Sequence, residues 1–220
     1  MFRLMSVHPG PDLAVEVAVN LADRSLGTIR GALAELVAAN LVQPVEPGRY
    51  ALHDLLRAYA GELSAIEDED SVRLAALTRM VEYYLHRAQI VTAPADEAAR
   101  QWVLRERRVL VGVIQLAAAA GLDHEIGLLA AGLSDDINRL GFSSDQISLQ
   151  LAALEAGRRL GDRRQEAHAH RRLGSAHLQL LERQPASEHL DQAFDLFQEL
   201  GDLSGQSRVL RIRSTLETTF

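Results

Sequence analysis

Between Leu52 and Leu63 the apolar residues Leu52, Leu55, Leu56, Tyr59 and Leu63 recur with the spacing of one helix face. That stripe predicts an amphipathic helix with His53, Asp54 and Arg57 turned away from the core. Asp54 falls in the first turn, where a carboxylate suits the helix dipole and can pair with Arg57 three positions on. His53 is left at the helix start, partly free. Upstream, Phe2–Val7 reads as a helix closing at His8-Pro9-Gly10-Pro11, where two prolines and a glycine stop it. It reads as the tail of a helix already under way, as in a truncated chain. Asp12 is placed to cap a helix from about Leu13 to Leu21 with Val15, Val19 and Ala22 inward. Ser25 is placed to cap a second, carrying Ile29, Leu33, Leu36 and Val37, with Asn40 at its end. Leu41–Val45 and Arg49–Leu52 flank Glu46-Pro47-Gly48, a hairpin signal. Helix, turn, helix, hairpin is a winged-helix order.

Beyond Glu67-Asp68-Glu69-Asp70, an acidic run read as a solvated link, the period stays helical. Ser71 starts a helix with Leu74, Leu77, Val81, Tyr84 and Ala88 on one face, broken at Thr92-Ala93-Pro94-Ala95. Residues 98–120 carry Trp102, Val109, Val113 and Leu116 along one side. Arg105-Glu106-Arg107-Arg108 reads there as a solvated face with internal ion pairs, and Trp102 as a packing anchor. Gly121 and Gly141 bracket a further helix from Ile126 to Leu140. Near the C-terminal end, Leu160-Gly161-Asp162 and Leu200-Gly201-Asp202 recur 40 residues apart, a period of helical-hairpin repeats. Leu173-Gly174, Ala186, Leu190 and Ala193 fit the small-residue signature of a tetratricopeptide repeat. Gly174, Ala186 and Ala193 let paired helices approach, while Leu173, Leu190, Phe194 and Phe197 fill the seam. The next copy has Arg213 and Ser214 where Leu173 and Gly174 stand. One full repeat and two halves fall short of the three needed for a continuous core, so the array is expected to continue in a parent protein or to pair with another chain, as in a homo-oligomer. The expected fold class is mainly all-α, with a winged-helix domain at 1–66, an acidic linker at 67–70, a helical connector at 71–143 and repeats at 144–220.

Composition narrows the chemistry. Hydrophobic residues make up 47% of the chain and aromatics only 5%, which favours helices packed through Leu, Ala and Val. With no cysteine and with arginine as every one of the 23 basic residues, thiolate sites, a P-loop lysine and a Schiff-base lysine are excluded. The absence of cysteine and of any long apolar run fits a cytoplasmic protein. A net charge of -7 argues against broad affinity for nucleic acid or anionic membranes. Residues 1–66 hold five arginines against seven acids, and the helix that would read DNA carries only Arg30 and Glu35. A DNA reader needs more phosphate-neutralising cations. Of the histidines His168, His170, His177 and His189, the first two point to different sides of a helix, and no acid–histidine spacing suits zinc. Neither a nucleophile–base pairing nor a close carboxylate pair marks a catalytic centre. On the repeats, Arg171, Arg172 and His177 are the candidates for partner binding on a concave face.

The segment Gly48-Arg49-Tyr50-Ala51-Leu52-His53-Asp54-Leu55-Leu56-Arg57-Ala58-Tyr59-Ala60, with Phe2-Arg3-Leu4 and His8-Pro9-Gly10-Pro11-Asp12 before it, resembles the winged-helix part of NB-ARC signal-transduction ATPases. It is closest to their actinobacterial branch of SARP-type antibiotic regulators. Leu52-His53-Asp54 stands in the place of that family's Met-His-Asp motif. The resemblance implies that His53 senses the phosphates of ADP or ATP held by a nucleotide-binding domain this chain lacks, and that a helical repeat region follows. It further implies a non-catalytic module that relays nucleotide state to a partner-binding array in the control of transcription. The residues also admit a different reading, a stand-alone winged-helix DNA-binding regulator with a helical dimerisation arm.

Overall fold

A computed structural model describes residues 1–91 and 97–220, so the helix break expected at 92–95 lies outside the described residues. The chain is mainly α-helical with one small antiparallel sheet, and it divides into two compact units, Met1–His86 and Arg87–Phe220. Among the described residues no helix is long and apolar enough to cross a membrane.

The first unit runs α1 (Phe2–Met5), β1 (Asp12–Ala14), α2 (Val15–Ala22), α3 (Leu26–Ala38), β2 (Gln43–Glu46), β3 (Arg49–Ala51), α4 (Asp54–Glu67) and the start of α5 (Asp70–Val91), within which the division falls. Its sheet has the order β1-β3-β2, with Leu13 opposite Tyr50 and Pro44 on the other side of the same residue. Gly48 turns the hairpin at φ +77° and its carbonyl accepts from Val15 N–H at 2.8 Å. Ser25 caps α3 by accepting from Thr28 N–H at 3.3 Å, and Asn40 ends it in the left-handed region at φ +57°. Met5, Leu13, Leu21, Leu33, Met80 and Tyr84 are fully buried at its centre.

Three expectations are corrected here. Asp12 does not cap α2: it belongs to β1, where its carboxylate pairs with Arg49 on the adjoining strand. Three residues are too few to show a period of two, and their pairing partner lies 37 residues away. Consequently α2 starts at Val15 and buries Val15, Val17, Ala18 and Leu21, while Val19 and Ala22 are half-buried. Helix α4 is also rotated from the predicted face. Leu55 is 76% and Tyr59 53% exposed, and the buried positions are Ala60 and Ser64. The small residues of α4 face the end of α1, where a methyl group on Gly61 would make an ordinary 3.9 Å contact with Ser6 Cβ, while Tyr59 keeps a ring contact with Phe2 at 6.4 Å.

The acidic run lies inside the first unit. Asp68 takes the Arg3 guanidinium at 2.8 Å and the Ser64 hydroxyl at 2.9 Å, while Arg73 donates to the carbonyls of Ser64 and Asp68 at 3.0 Å each. The hydrogen-bonded Arg3 guanidinium holds the Asp68 carboxyl below its ordinary range.

The second unit stacks α6 (Glu97–Ala119), α7 (Asp123–Arg139), α8 (Ser143–Leu160), α9 (Arg163–Gln179), α10 (Arg183–Glu199) and α11 (Leu203–Thr219) behind the end of α5. Gly121, Gly141, Gly161 and Gly201 all take left-handed φ at the turns, and Leu181 takes the same conformation at φ +59°. One turn thus returns every 20 residues from Gly121 onward, earlier than the Leu-Gly-Asp pair alone reveals. Asp162 and Asp202 each cap the next helix through a backbone N–H at 2.9 Å. Leu173, Ala186, Leu190, Ala193 and Phe197 are fully buried, as the repeat spacing predicts. At the later copy Arg213 lies over the Phe194 ring, 4.8 Å from its centroid, and pairs with Asp191. The charged stretch of α6 is not one solvated face. Glu106 is buried, and Arg107 packs on the Phe142 ring at 4.0 Å and pairs with Asp145 on α8.

Candidate functional site

His53 caps α4. Its Nδ1 lies 3.4 Å from Leu55 N–H, and the residue is exposed. The next residues show why it is held there. Arg57, half-buried, does not turn toward Asp54 but donates to the carbonyls of His8 at 2.8 Å and Pro11 at 3.0 Å, tying the helix start to the proline turn. Beneath that turn is a histidine whose sequence context marks it only as part of a loop. His8 is 1% exposed. Its Nδ1 accepts from Gly10 N–H at 3.2 Å, so Nε2 carries the proton and donates to the Tyr84 hydroxyl 2.9 Å away. Burial first, and then the charges of Arg57 and Arg49, push the His8 imidazole down to about 4. A buried neutral histidine with both nitrogens satisfied fixes the frame on which His53 stands. On the same helix Leu55, Tyr59 and Ile66 are exposed as well.

In the second unit a cavity of about 360 Å³ opens among α7, α8, α9 and α11. Arg164, His168, Arg171 and Arg172 from α9 and Arg208 from α11 line it, with Leu128, Ala131 and Ala153 as apolar wall. Helix geometry puts Arg171 and Arg172 here because Ala167, Ala169, Leu173 and Ala176 of α9 are taken up by the core. Arg171 and Arg172 make no hydrogen bond or ion pair among the described residues, and the Nε of each is buried without a partner. Burial, then the neighbouring Arg172 and Arg208, push the Arg171 guanidinium down to about 10, and burial lowers Arg172 as well. His168, also held to about 4 by burial and by both arginines, stays neutral beside them with its ring edge on Phe197.

The structure thus brings Arg171 and Arg172 together and separates His177 from them. Six positions on, His177 points about 120° further round the helix. Its Nδ1 pairs with Glu182 at 2.6 Å and its ring stacks on His189 at 5.5 Å. His189 in turn meets His170, with their Nδ1 atoms 2.9 Å apart. The expected divergence of His168 and His170 holds: one faces the cavity, the other His189. Among the described residues no group of three or more histidines and acids is placed to hold a metal ion. Sequence reasoning named Arg171 and Arg172 but missed Arg208 and Arg164. No local signal in the sequence joins those two to the pair, since Arg208 comes from a different helix.

Fold and cavity together define a mainly helical protein in which a small sheet-bearing unit precedes an array of helical hairpins with a cationic recess. No protein-family model matches the chain. Over 200 residues, 80% of this chain, it is 30% identical to the regulatory protein AfsR of Streptomyces griseus. Over 196 residues, 76% of this chain, it is also 30% identical to the regulatory protein AfsR of Streptomyces coelicolor. The chain spans about 20% of the length of each of these relatives.

Proposed function

We propose that this chain is the non-catalytic interaction module of a transcriptional regulator of the signal-transduction ATPase type. In this reading the first unit is its winged helix and the second a tetratricopeptide-like array. The observation that carries the proposal is the setting of His53, exposed at a fixed helix start on a helix whose Leu55 and Tyr59 are also exposed. A nucleotide-binding domain packed on α4 would cover those two side chains and bring its phosphates to the imidazole. The similarity to two regulatory proteins supports the same reading, as does the order of elements in the first unit. The state of bound ADP or ATP would bias how the winged helix sits. The array, with Arg171 and Arg172 in its recess, would bind a protein partner in one state and not the other. His177, paired with Glu182, is a weaker contributor to that surface than its neighbours in sequence.

The DNA-binding alternative finds less support. The exposed face of α3 carries Arg30 as its cation and Glu35 against it, too little to neutralise a phosphate backbone.

The test is made in the parent protein. His53→Ala is expected to change the nucleotide retained on purification and the regulatory output together. Unchanged nucleotide occupancy and output would end the sensor role. The 220-residue chain alone is expected to give no heat when titrated with ADP or Mg-ATP; micromolar binding would place the nucleotide site within the chain instead.

A further inference from the structure

We propose that the recess of the helical array is a binding site for an acidic peptide segment, with Arg171 and Arg172 as its carboxylate-binding groups. The inference rests on the reading of the array as a partner-binding surface and specifies the chemistry of that partner.

The charge distribution is the first argument. The chain is acidic overall, yet three of its arginines converge in this cavity without an acid to pair with. The acids nearby are otherwise engaged. Asp162 caps α9 through Gln165 N–H, and Asp202 caps α11 and pairs with Arg164 at 3.3 Å. Asp135 of α7 attracts both guanidinium groups but makes no ion pair with them. Several other arginines of these helices are matched by acids on a neighbouring helix, as in Arg159 with Asp123, Arg163 with Glu199 and Arg183 with Glu217. Two adjacent, half-buried guanidinium groups that repel each other and leave a buried Nε each are costly unless an anion completes them.

The shape selects a peptide over a bare ion. At about 360 Å³ the cavity is larger than one small anion needs, and Leu128, 41% exposed, with Ala131 and Ala153 offers a wall for aliphatic carbon. Gln150 is in the same lining. It is fully buried and its Nε2 is spent on the Ala130 carbonyl and Ser134 Oγ, so it closes the floor of the recess rather than reaching into it. Unpaired guanidinium groups and an apolar strip form the complement of a segment with carboxylates and aliphatic side chains. Planar guanidinium forks suit carboxylates in particular.

The probe is a fluorescein-labelled pentapeptide Glu-Glu-Leu-Glu-Glu, titrated into the whole chain by anisotropy alongside Gln-Gln-Leu-Gln-Gln and inorganic phosphate. Saturable binding of the acidic peptide is expected. It should weaken roughly tenfold or more with Arg171→Gln and with Arg172→Gln, as loss of a charge-assisted hydrogen bond demands, and stay unchanged with Arg30→Gln in the first unit. Without peptide, Arg171→Gln should melt at a higher temperature than the parent, since it removes the repulsion; this readout also shows that the variant folds. No saturable binding, equal binding of the neutral peptide, or retention by the Arg171→Gln/Arg172→Gln double variant would overturn the proposal. Phosphate binding as tight as the peptide's would do the same, by making the recess a small-anion site. None of these outcomes bears on the His53 relay, which is tested separately in the parent protein.

Discussion

Replacing Gly174 by alanine sets two effects of opposite sign against each other. In the interior of a helix the change ordinarily stabilises by about 1 kcal/mol, because glycine forfeits more backbone entropy. At this position a Cβ would lie 2.6 Å from Leu190 Cγ and 3.2 Å from the Ala186 carbonyl oxygen. Neither neighbour can yield cheaply. Leu190 is fully buried and the other atom is backbone, so α10 itself must move away from α9. Overpacking of this kind costs about 1–3 kcal/mol, and a backbone obstacle places it in the upper half of that range. The net expectation is a loss of about 1–2 kcal/mol, a fall of roughly 4–8 °C in melting temperature for a unit of this size. Gly132→Ala is the matched control in the same unit. Among the described residues its Cβ would meet only Ala88 Cβ, at an ordinary 3.7 Å, so it should gain about 0.5–1 kcal/mol. Thermal and urea melts followed by far-UV circular dichroism measure both. If Gly174→Ala proved as stable as the parent, the close approach of α9 and α10 would be refuted, and with it the packing of the array.

Two further outcomes follow from the structure. Leu181 occupies at φ +59° a turn position that four glycines fill elsewhere, and it is 65% exposed, so Leu181→Gly should stabilise by about 1 kcal/mol; a destabilised variant would show that its side chain packs. Acid should unfold the first unit early. The His8 ring protonates near 4 when folded and near 6.5 when unfolded, so below 6.5 the unfolded chain binds the extra proton first. Stability is therefore full above about 6.5 and declines as the pH falls toward 4, by on the order of 3 kcal/mol from this residue. Urea titrations across that range, with His8→Gln for comparison, measure the slope; a slope unaltered by the substitution would contradict the buried neutral state.

The candidate sites were unequally legible. His53 stood out because a helix start is written locally, in a turn followed by a stripe, and the structure finds it capping α4. Arg171 and Arg172 could be named but not paired with Arg208, since that grouping needs α9 and α11 to fold onto one recess. His8 was invisible. Nothing in His-Pro-Gly-Pro says that its ring will meet a tyrosine 76 residues away.

By itself the sequence determined the mainly helical class, the hairpin at Glu46-Pro47-Gly48, the Ser25 cap and the Leu173-Gly174-Ala186-Leu190 seam. Each of these is encoded in residues close along the chain or at a repeating interval, where propensity, capping and periodicity act directly. Tertiary structure alone decided that Asp12–Ala14 would be a strand, that α4 would turn its small residues inward and expose Leu55 and Tyr59, and that Glu106 would be buried within a run of arginines. Those outcomes depend on which neighbour comes close enough to offer hydrogen bonds or exclude water. Such neighbours lie tens of residues distant, beyond the reach of any local pattern.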